Sequence, residues 1–166
     1  MREVFAAAGP LGGRTSALSS ARHPDILVVG GGPAGAALAM TAARGGARVV
    51  VLEAAHYPRD KICGDGLGLD CYAELGTLGV LERVRKVATS RIRGVCVSGP
   101  GGRSLDLSTQ DRHLPGWSDH TFMIPRRVLD HVLIDAAAEA GAEIREGARV
   151  REVLWDGLGS DRRARG

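Results

Sequence analysis

The chain has 166 residues, of which 44% are hydrophobic and 25% are charged. A single domain usually holds about 100–200 residues, so the length allows one domain or part of a larger one, and the composition excludes a disordered, collagen-like or coiled-coil chain. The formal net charge of +3, from 22 basic and 19 acidic residues, is too balanced to indicate a nucleic-acid partner.

The cysteines and the N-terminal segment bear on the compartment. The three cysteines form no even set, which argues against a secreted disulfide scaffold and favours a reducing cytoplasm. Residues 1–24 contain no apolar run long enough for a signal peptide or a membrane span. We therefore predict a cytoplasmic protein without a transmembrane segment, in which residues 1–24 are a disordered leader.

The ordered domain is predicted to span residues 25–156, and it begins with a strand, a helix and a second strand. Ile26–Val29 is a continuous apolar run, typical of a strand buried on both faces in a parallel sheet. Residues 34–44 are rich in good helix formers and end before two glycines, and residues 48–52 form a second apolar run. Together these segments predict a right-handed βαβ unit.

Further elements follow an irregular stretch that runs from Tyr57 to Gly68. We predict two helices, a β-hairpin, a short strand, a long helix and two strands. They cover residues 69–75, 80–87, 94–98 with 104–107, 122–124, 126–140, 142–144 and 148–154. The tail, residues 157–166, is predicted to be disordered. This order predicts an α/β fold with a parallel sheet and a β-hairpin insertion.

The segment between the first strand and the first helix matches the G-x-G-x-x-G pattern of dinucleotide-binding turns. Gly30 permits the tight turn, Gly32 lets the backbone approach a pyrophosphate, and Gly35 permits close packing of helix on strand. The start of the helix offers free N–H groups and the positive end of its dipole to the phosphates. The pattern stands directly after a strand, where such a turn is required.

Glu53 ends the second strand, 18 residues beyond Gly35. A carboxylate at this position accepts hydrogen bonds from the two hydroxyls of an adenosine ribose, whereas a 2′-phosphate would meet a like charge. NADP is therefore disfavoured, and NAD and FAD both remain open. The alternative is a compact strand-helix connection that binds nothing, with Glu53 as a solvated strand end.

The loop from Tyr57 to Leu67 follows Glu53 and leaves the same sheet edge as the glycine turn, so both are expected to converge on one ligand. Its glycines permit backbone contact with a flat or charged group, and Arg59 and Lys61 place positive charge beside a pyrophosphate. Taken alone, the segment fits a basic surface loop with one half-buried cysteine equally well.

Two segments resemble a known family. DILVVGGGPAGAALAMTAARGGARVVVLEAAHYPRDKICGDGL resembles the N-terminus of the geranylgeranyl reductase family of FAD-dependent oxidoreductases, including its menaquinone-reductase-like actinobacterial members. IPRRVLDHVLIDAAAEAGAEI is similar to that family's R-x-x-[FL]-D helix. The resemblance runs from about Asp25 to Val153. Many flavoproteins share the glycine motif, whereas the loop combined with the later helix is more specific.

The resemblance implies that the cofactor is FAD and assigns residues to it. Those for the pyrophosphate are Gly30, Gly32, Ala34 and Gly35, and the one for the adenosine ribose is Glu53. Those for the flavin side of the cofactor are Cys63, Gly64 and Gly66. Arg126 would reach the FAD from the start of its helix, and Val150 would contact the adenine end through a strand backbone. Without the family pattern, Arg126 and Arg127 would be expected to be solvated.

The resemblance also implies an activity, the reduction of C=C bonds in an isoprenoid chain by hydride transfer from reduced flavin. The substrate would be an isoprenoid or another small molecule, the electron donor is unassigned, and such a substrate would favour peripheral membrane contact. No catalytic acid or base and no metal ligand is assigned. The alternatives are a FAD-dependent monooxygenase or hydroxylase, a catalytically inert cofactor-binding module, and a nicotinamide-dependent dehydrogenase.

The resemblance covers only the N-terminal portion of the family. The sequence contains no second glycine-aspartate block of the G-D-A type, which in the family holds the ribityl chain, and no C-terminal substrate domain. We therefore expect an incomplete Rossmann-like FAD/NAD(P)-binding domain that encloses the flavin poorly, and we assign no activity to this portion alone. Open edge strands in such a domain would favour association.

Overall fold

The computed structural model describes residues 23–63, 65–68, 70–92, 94–108, 121–157 and 163–165. The elements in chain order are β1 Ile26–Val29, α1 Pro33–Arg44, β2 Val49–Leu52, β3 Gly66–Leu67, α2 Asp70–Thr77, α3 Leu81–Val87, β4 Ser90–Ile92, β5 Gly94–Ser98, β6 Ser104–Ser108, β7 Thr121–Met123, α4 Arg126–Glu139, β8 Glu143–Arg145, β9 Leu154–Asp156 and β10 Arg163–Arg165. Residues 1–22, which make up most of the predicted leader, and the predicted site residue Gly64 lie outside the described residues.

A parallel three-stranded sheet in the order β1-β2-β8 positions the glycine turn. The three valines of β2 are buried because this strand lies between the other two. Helix α1 packs against α4. Ala36 and Ala39 of α1 are fully buried, and their small side chains let neighbouring elements approach closely. The predicted α/β fold with a parallel sheet is confirmed.

Strand β1 is buried on one face only. Val28 is buried, whereas Leu27 and Val29 are 49% and 58% exposed. The prediction of a strand buried on both faces is therefore wrong for β1 and correct for β2. Side chains of a strand point alternately to the two faces of the sheet, and in the described part of the chain the face that carries Leu27 and Val29 is largely uncovered at β1.

Helix α4 presents an apolar stripe to the core, as its sequence spacing predicts. Leu129, Leu133 and Ala137 are buried in the same hydrophobic cluster as Met40 of α1. Gly141 follows the helix with φ of +105°, a conformation that favours glycine. Among the described helices, none is long and apolar enough to cross a membrane.

The strands between β2 and α4 form two small antiparallel sheets. One has the order β3-β7-β4, and the other is the predicted hairpin of β5 and β6, in which Val97 lies opposite Leu105. Gly102 in the hairpin turn has φ of +72°. The predicted hairpin is confirmed.

The structure differs from the sequence prediction at the C-terminal segment. We expect a strand over residues 148–154, but residues 148–153 have no regular structure and β9 begins only at Leu154. The Ala148 N–H donates to the Glu53 carbonyl oxygen at 2.8 Å. Beyond this bond, residues 148–153 form no hydrogen-bond ladder with β2 in the described structure. We also expect a disordered tail, whereas Arg163–Arg165 pair antiparallel with Leu154–Asp156.

Candidate functional site

The glycine turn between β1 and α1 has the conformation that its sequence motif requires. Gly30 has φ of +93°, and its N–H donates to the Leu52 carbonyl oxygen at 2.8 Å. A Cβ at Gly35 would collide with the Gly30 carbonyl oxygen, so only glycine allows α1 to begin this close to β1. By helix geometry, the N–H groups of Ala34 and Gly35 have no acceptor four residues back and can bind an anion.

Glu53 fixes the same turn from the end of β2. Its Oε2 accepts a hydrogen bond from the Gly31 N–H at 2.8 Å, and its Oε1 accepts one from the Ala55 N–H at 3.1 Å. The residue is 7% exposed, so the alternative of a solvated strand end is wrong. Burial alone would raise its pKa, but the two N–H donors and the Arg59 charge outweigh burial and hold the pKa of Glu53 below its usual value.

Tyr57 covers the other side of the turn. Its hydroxyl donates to the Gly31 carbonyl oxygen, and its ring stacks on His131 with the centroids 6.1 Å apart. A Cβ at Gly31 would collide with this hydroxyl and lie 3.1 Å from Ile134 Cδ1. Gly31 stands at a variable position of the motif, so the motif alone does not reveal that the site requires glycine there.

The pKa of the Tyr57 hydroxyl provides a test of its buried position beside the glycine turn. Burial, assisted by the Glu53 charge, raises the pKa of Tyr57 from 10.0 to about 12. The folded state therefore holds this proton more tightly than the unfolded state, and the resulting stability is complete below pH 10.0 and is lost as pH rises toward about 12. We expect tyrosinate absorbance to show a transition near pH 12 that Tyr57→Phe removes. Loss of a transition near pH 10 in that variant would contradict the assigned environment.

Two arginines from distant segments contact one buried carboxylate in α4. Asp130 is fully buried, and Arg126 bonds both of its carboxylate oxygens through Nε at 2.8 Å and Nη2 at 2.9 Å. Arg59 Nη1 lies 3.0 Å from Asp130 Oδ2, and Arg59 Nη2 lies 3.4 Å from Glu53 Oε2. These four side chains form the arginine–carboxylate cluster, which carries no net charge. The expectation of a solvated Arg126 is wrong, since its side chain is 11% exposed.

Asp65 joins the loop to the start of α4. Its carbonyl oxygen accepts a hydrogen bond from the Ile124 N–H at 2.9 Å, and its Oδ1 accepts one from the Arg126 N–H at 3.2 Å. Gly66 follows in β3 and pairs with Met123. Cys63 is exposed, and its thiol contributes, after Asp130, to raising the pKa of Arg126. The two motifs of the family resemblance therefore form one structural unit.

The structure brings most of the predicted site residues together at the carboxyl ends of β1 and β2. Those it groups around the glycine turn and the cluster are Gly30, Gly32, Ala34, Gly35, Glu53, Cys63 and Arg126, whereas Gly66 lies in β3 and pairs with Met123 of β7. Val150 is not in a strand, which corrects the prediction of a strand backbone there; the contact of its segment with the site is made by Ala148. Sequence reasoning missed Asp65 and Asp130, although Arg126 and Asp130 have the i,i+4 spacing of helical ion pairs.

The turn is shaped to accept a phosphate group. Among the described residues, a Cβ built on Gly32 meets a single atom within 4 Å, Arg59 Nη2 at 3.6 Å, so the backbone is open to a ligand at this point. The start of α1 and the Arg59 guanidinium supply positive charge there. The fold and the site define a Rossmann-like dinucleotide-binding domain.

Comparison with known proteins identifies the class. Residues 23–165 match the model of the FAD binding domain family, and the chain belongs to that family. The menaquinone reductase of Mycolicibacterium smegmatis is 40% identical over 137 residues, which cover 81% of this chain and 32% of that protein. The digeranylgeranylglycerophospholipid reductase of Methanosarcina mazei is 29% identical over 131 residues, or 78% of this chain and 30% of that protein.

Solved structures share the fold. The myxobacterial chondrochloren halogenase, a FAD-dependent halogenase, superposes with a TM-score of 0.71 at 26% identity, covering 81% of this chain and 31% of that one. The chain spans about a third of the length of these relatives. The resemblance to the geranylgeranyl reductase family is confirmed. Glu53 left NAD and FAD open as cofactors, and the comparisons support FAD.

Proposed function

We propose that this chain is the FAD-binding part of a flavin-dependent oxidoreductase that reduces C=C bonds of an isoprenoid chain. The main support is the 40% identity to a menaquinone reductase over 81% of the chain. The contact between the Asp65 loop and the start of α4 adds to it, because the specific motifs of the family meet there. Location in the cytoplasm and peripheral contact with a membrane-held substrate belong to this proposal.

The residues of the chain would bind and orient the cofactor, while FAD itself would supply the hydride chemistry when bound. The open backbone at Gly32 and the amides at the start of α1 would hold the pyrophosphate. Glu53 would accept a ribose hydroxyl, because a carboxylate has about four acceptor positions, of which the Gly31 and Ala55 amides and Arg59 Nη2 occupy three. Cys63, Gly66 and Arg126 would line the side toward the flavin, and Gly64 would belong to the same loop.

The cofactor site is tested by visible absorption. We expect the purified chain, incubated with FAD and freed of unbound cofactor by gel filtration, to retain a flavin band. Gly32→Ala should fold normally, since its Cβ makes only an ordinary contact with Arg59, but should weaken FAD binding about tenfold or more because it obstructs the phosphate.

The matched control for this experiment is Gly101→Ala in the hairpin turn, where a Cβ meets no atom of the described residues within 4 Å. It should bind FAD as the wild type does. A colourless wild-type protein would overturn the FAD site and select an inert module. Equal FAD affinity of Gly32→Ala and wild type would remove the pyrophosphate from this turn.

The activity is tested on the whole protein that carries this domain. With the flavin reduced and oxygen excluded, a polyprenyl quinone should gain one hydride and one proton per reduced C=C bond while the flavin is reoxidised. Mass spectrometry of the extracted quinone measures this gain. An unchanged quinone contradicts the proposal.

A FAD-dependent oxygen-using enzyme is the second candidate, because the similarity to a solved FAD-dependent halogenase favours it. Such an enzyme would consume oxygen in the presence of its substrate and leave the polyprenyl chain unreduced. An oxygen electrode on the same protein distinguishes the two activities.

A further inference from the structure

We propose that Asp130 is a positioning residue that holds Arg59 in place for the pyrophosphate of the cofactor and Arg126 in place toward its flavin side, an inference that rests on the proposed FAD site. Asp130 is fully buried in α4, so its carboxylate is not placed to contact a ligand from solvent. Its two oxygens instead receive three donor groups from two guanidinium groups. One arginine belongs to α4 and the other to the loop that follows β2.

One nitrogen of the Arg59 guanidinium has no acceptor in the cluster, which indicates that a ligand supplies one. Arg59 directs Nη1 to Asp130 and Nη2 toward Glu53, while its Nε is buried and has no hydrogen-bond partner among the described residues. A buried donor on a cation is costly unless it finds an acceptor. The same guanidinium lies beside Gly32, where the backbone is open to a phosphate. A phosphate oxygen is the acceptor whose charge and geometry suit a guanidinium.

The ion pairs of the cluster determine how much side-chain entropy Arg59 and Arg126 lose when the cofactor binds. A free arginine side chain has many rotamers, and fixing it on binding reduces affinity. Arg126 is held by a two-bond contact within its own helix, and Arg59 is held between Asp130 and Glu53. Both guanidinium groups are therefore fixed before the cofactor arrives.

Positioning and simple charge predict opposite signs for Asp130→Asn. Removal of a negative charge near a phosphate would tighten binding if long-range attraction were all that mattered. An asparagine keeps one acceptor oxygen, but its amide group would face either Arg126 alone, at Oδ1, or both arginines, at Oδ2, and would weaken their hold. Under the positioning role, FAD binding weakens although the site becomes more positive.

The experiment measures the dissociation constants of FAD, ADP and adenosine for the wild type and for Asp130→Asn. We expect Asp130→Asn to bind FAD and ADP at least about tenfold more weakly than the wild type, because the residue that supports a binding group is lost. The affinity for adenosine, which has no phosphate, should stay the same. Glu139→Gln is the matched control, because Glu139 lies in the same helix and pairs with Arg83 at 2.6 Å but is outside the cluster. Unchanged or tighter FAD binding in a folded Asp130→Asn protein would overturn the proposal.

A second measurement covers the case in which Asp130→Asn fails to fold. Arg59→Lys and Arg126→Lys keep the charges, and their losses in FAD affinity should be non-additive in the double variant because both act through Asp130. Additive losses would reject the positioning role. A wild-type chain that binds no FAD would reject the proposed cofactor site as well, whereas FAD binding that is insensitive to Asp130 rejects this inference alone.

Discussion

Gly35→Ala is expected to destabilise the chain by about 3 kcal/mol, because the new methyl group collides with backbone that has no room to move. The ideal Cβ position overlaps the Gly30 carbonyl oxygen and lies 3.2 Å from Val28 Cγ1. Relief of the collision would require α1 to move away from β1, which would separate the buried Ala36 and Met40 from the core. Urea denaturation followed by circular dichroism measures the loss, and FAD retention should fail in parallel.

The same substitution at Gly76 is the matched control. Gly76 lies in α2, and a Cβ there meets nothing within 4 Å. Alanine is a better helix former than glycine, so Gly76→Ala should stabilise the chain by about 0.5–1 kcal/mol. Equal stability of the Gly35→Ala variant and the wild type would mean that the helix does not begin on the strand as described.

Local patterns were sufficient to predict the elements around the glycine turn. The apolar run Ile26–Val29, the helix-forming residues of α1 and the turn glycines each specify a conformation through their immediate neighbours, and all three are observed. The hairpin of β5 and β6 was predictable for the same reason. The burial of each face of the sheet was not predictable, because the exposure of Leu27 depends on what packs over that face of β1 and not on its own sequence.

The arginine–carboxylate cluster shows where sequence reasoning lacks information. The spacing of Arg126 and Asp130 is visible in the sequence, but the approach of Arg59 to Asp130 joins residues 71 positions apart and depends on the path of the whole loop. Val150 illustrates the opposite error. The alternation of Val150 with Arg149 and Arg151 resembles a strand, yet a strand forms only where a partner supplies a hydrogen-bond ladder, and residues 148–153 have none in the described structure.

Glu53→Gln is expected to cost about 3 kcal/mol of stability at neutral pH, since it breaks a buried, charged hydrogen-bond network. A glutamine side chain has one acceptor oxygen, so either the Gly31 or the Ala55 N–H would face an amide donor. Arg59 would also lose the carboxylate that lies 3.4 Å away. Glu143→Gln, which breaks an exposed pair with Arg145 at 2.8 Å, is the control and should change stability by less than about 0.5 kcal/mol.

The pH dependence of this difference separates the charge of Glu53 from its shape. Because the pKa of Glu53 is lower in the folded state than its ordinary value of 4.5, its contribution is complete above that pH and is lost as pH falls through the folded-state pKa. The stability gap between wild type and Glu53→Gln, measured by urea denaturation, should therefore narrow as the solution is made more acidic. A gap that stays constant down to strongly acidic pH would show that the carboxylate acts through packing alone and that its charge does not stabilise the glycine turn.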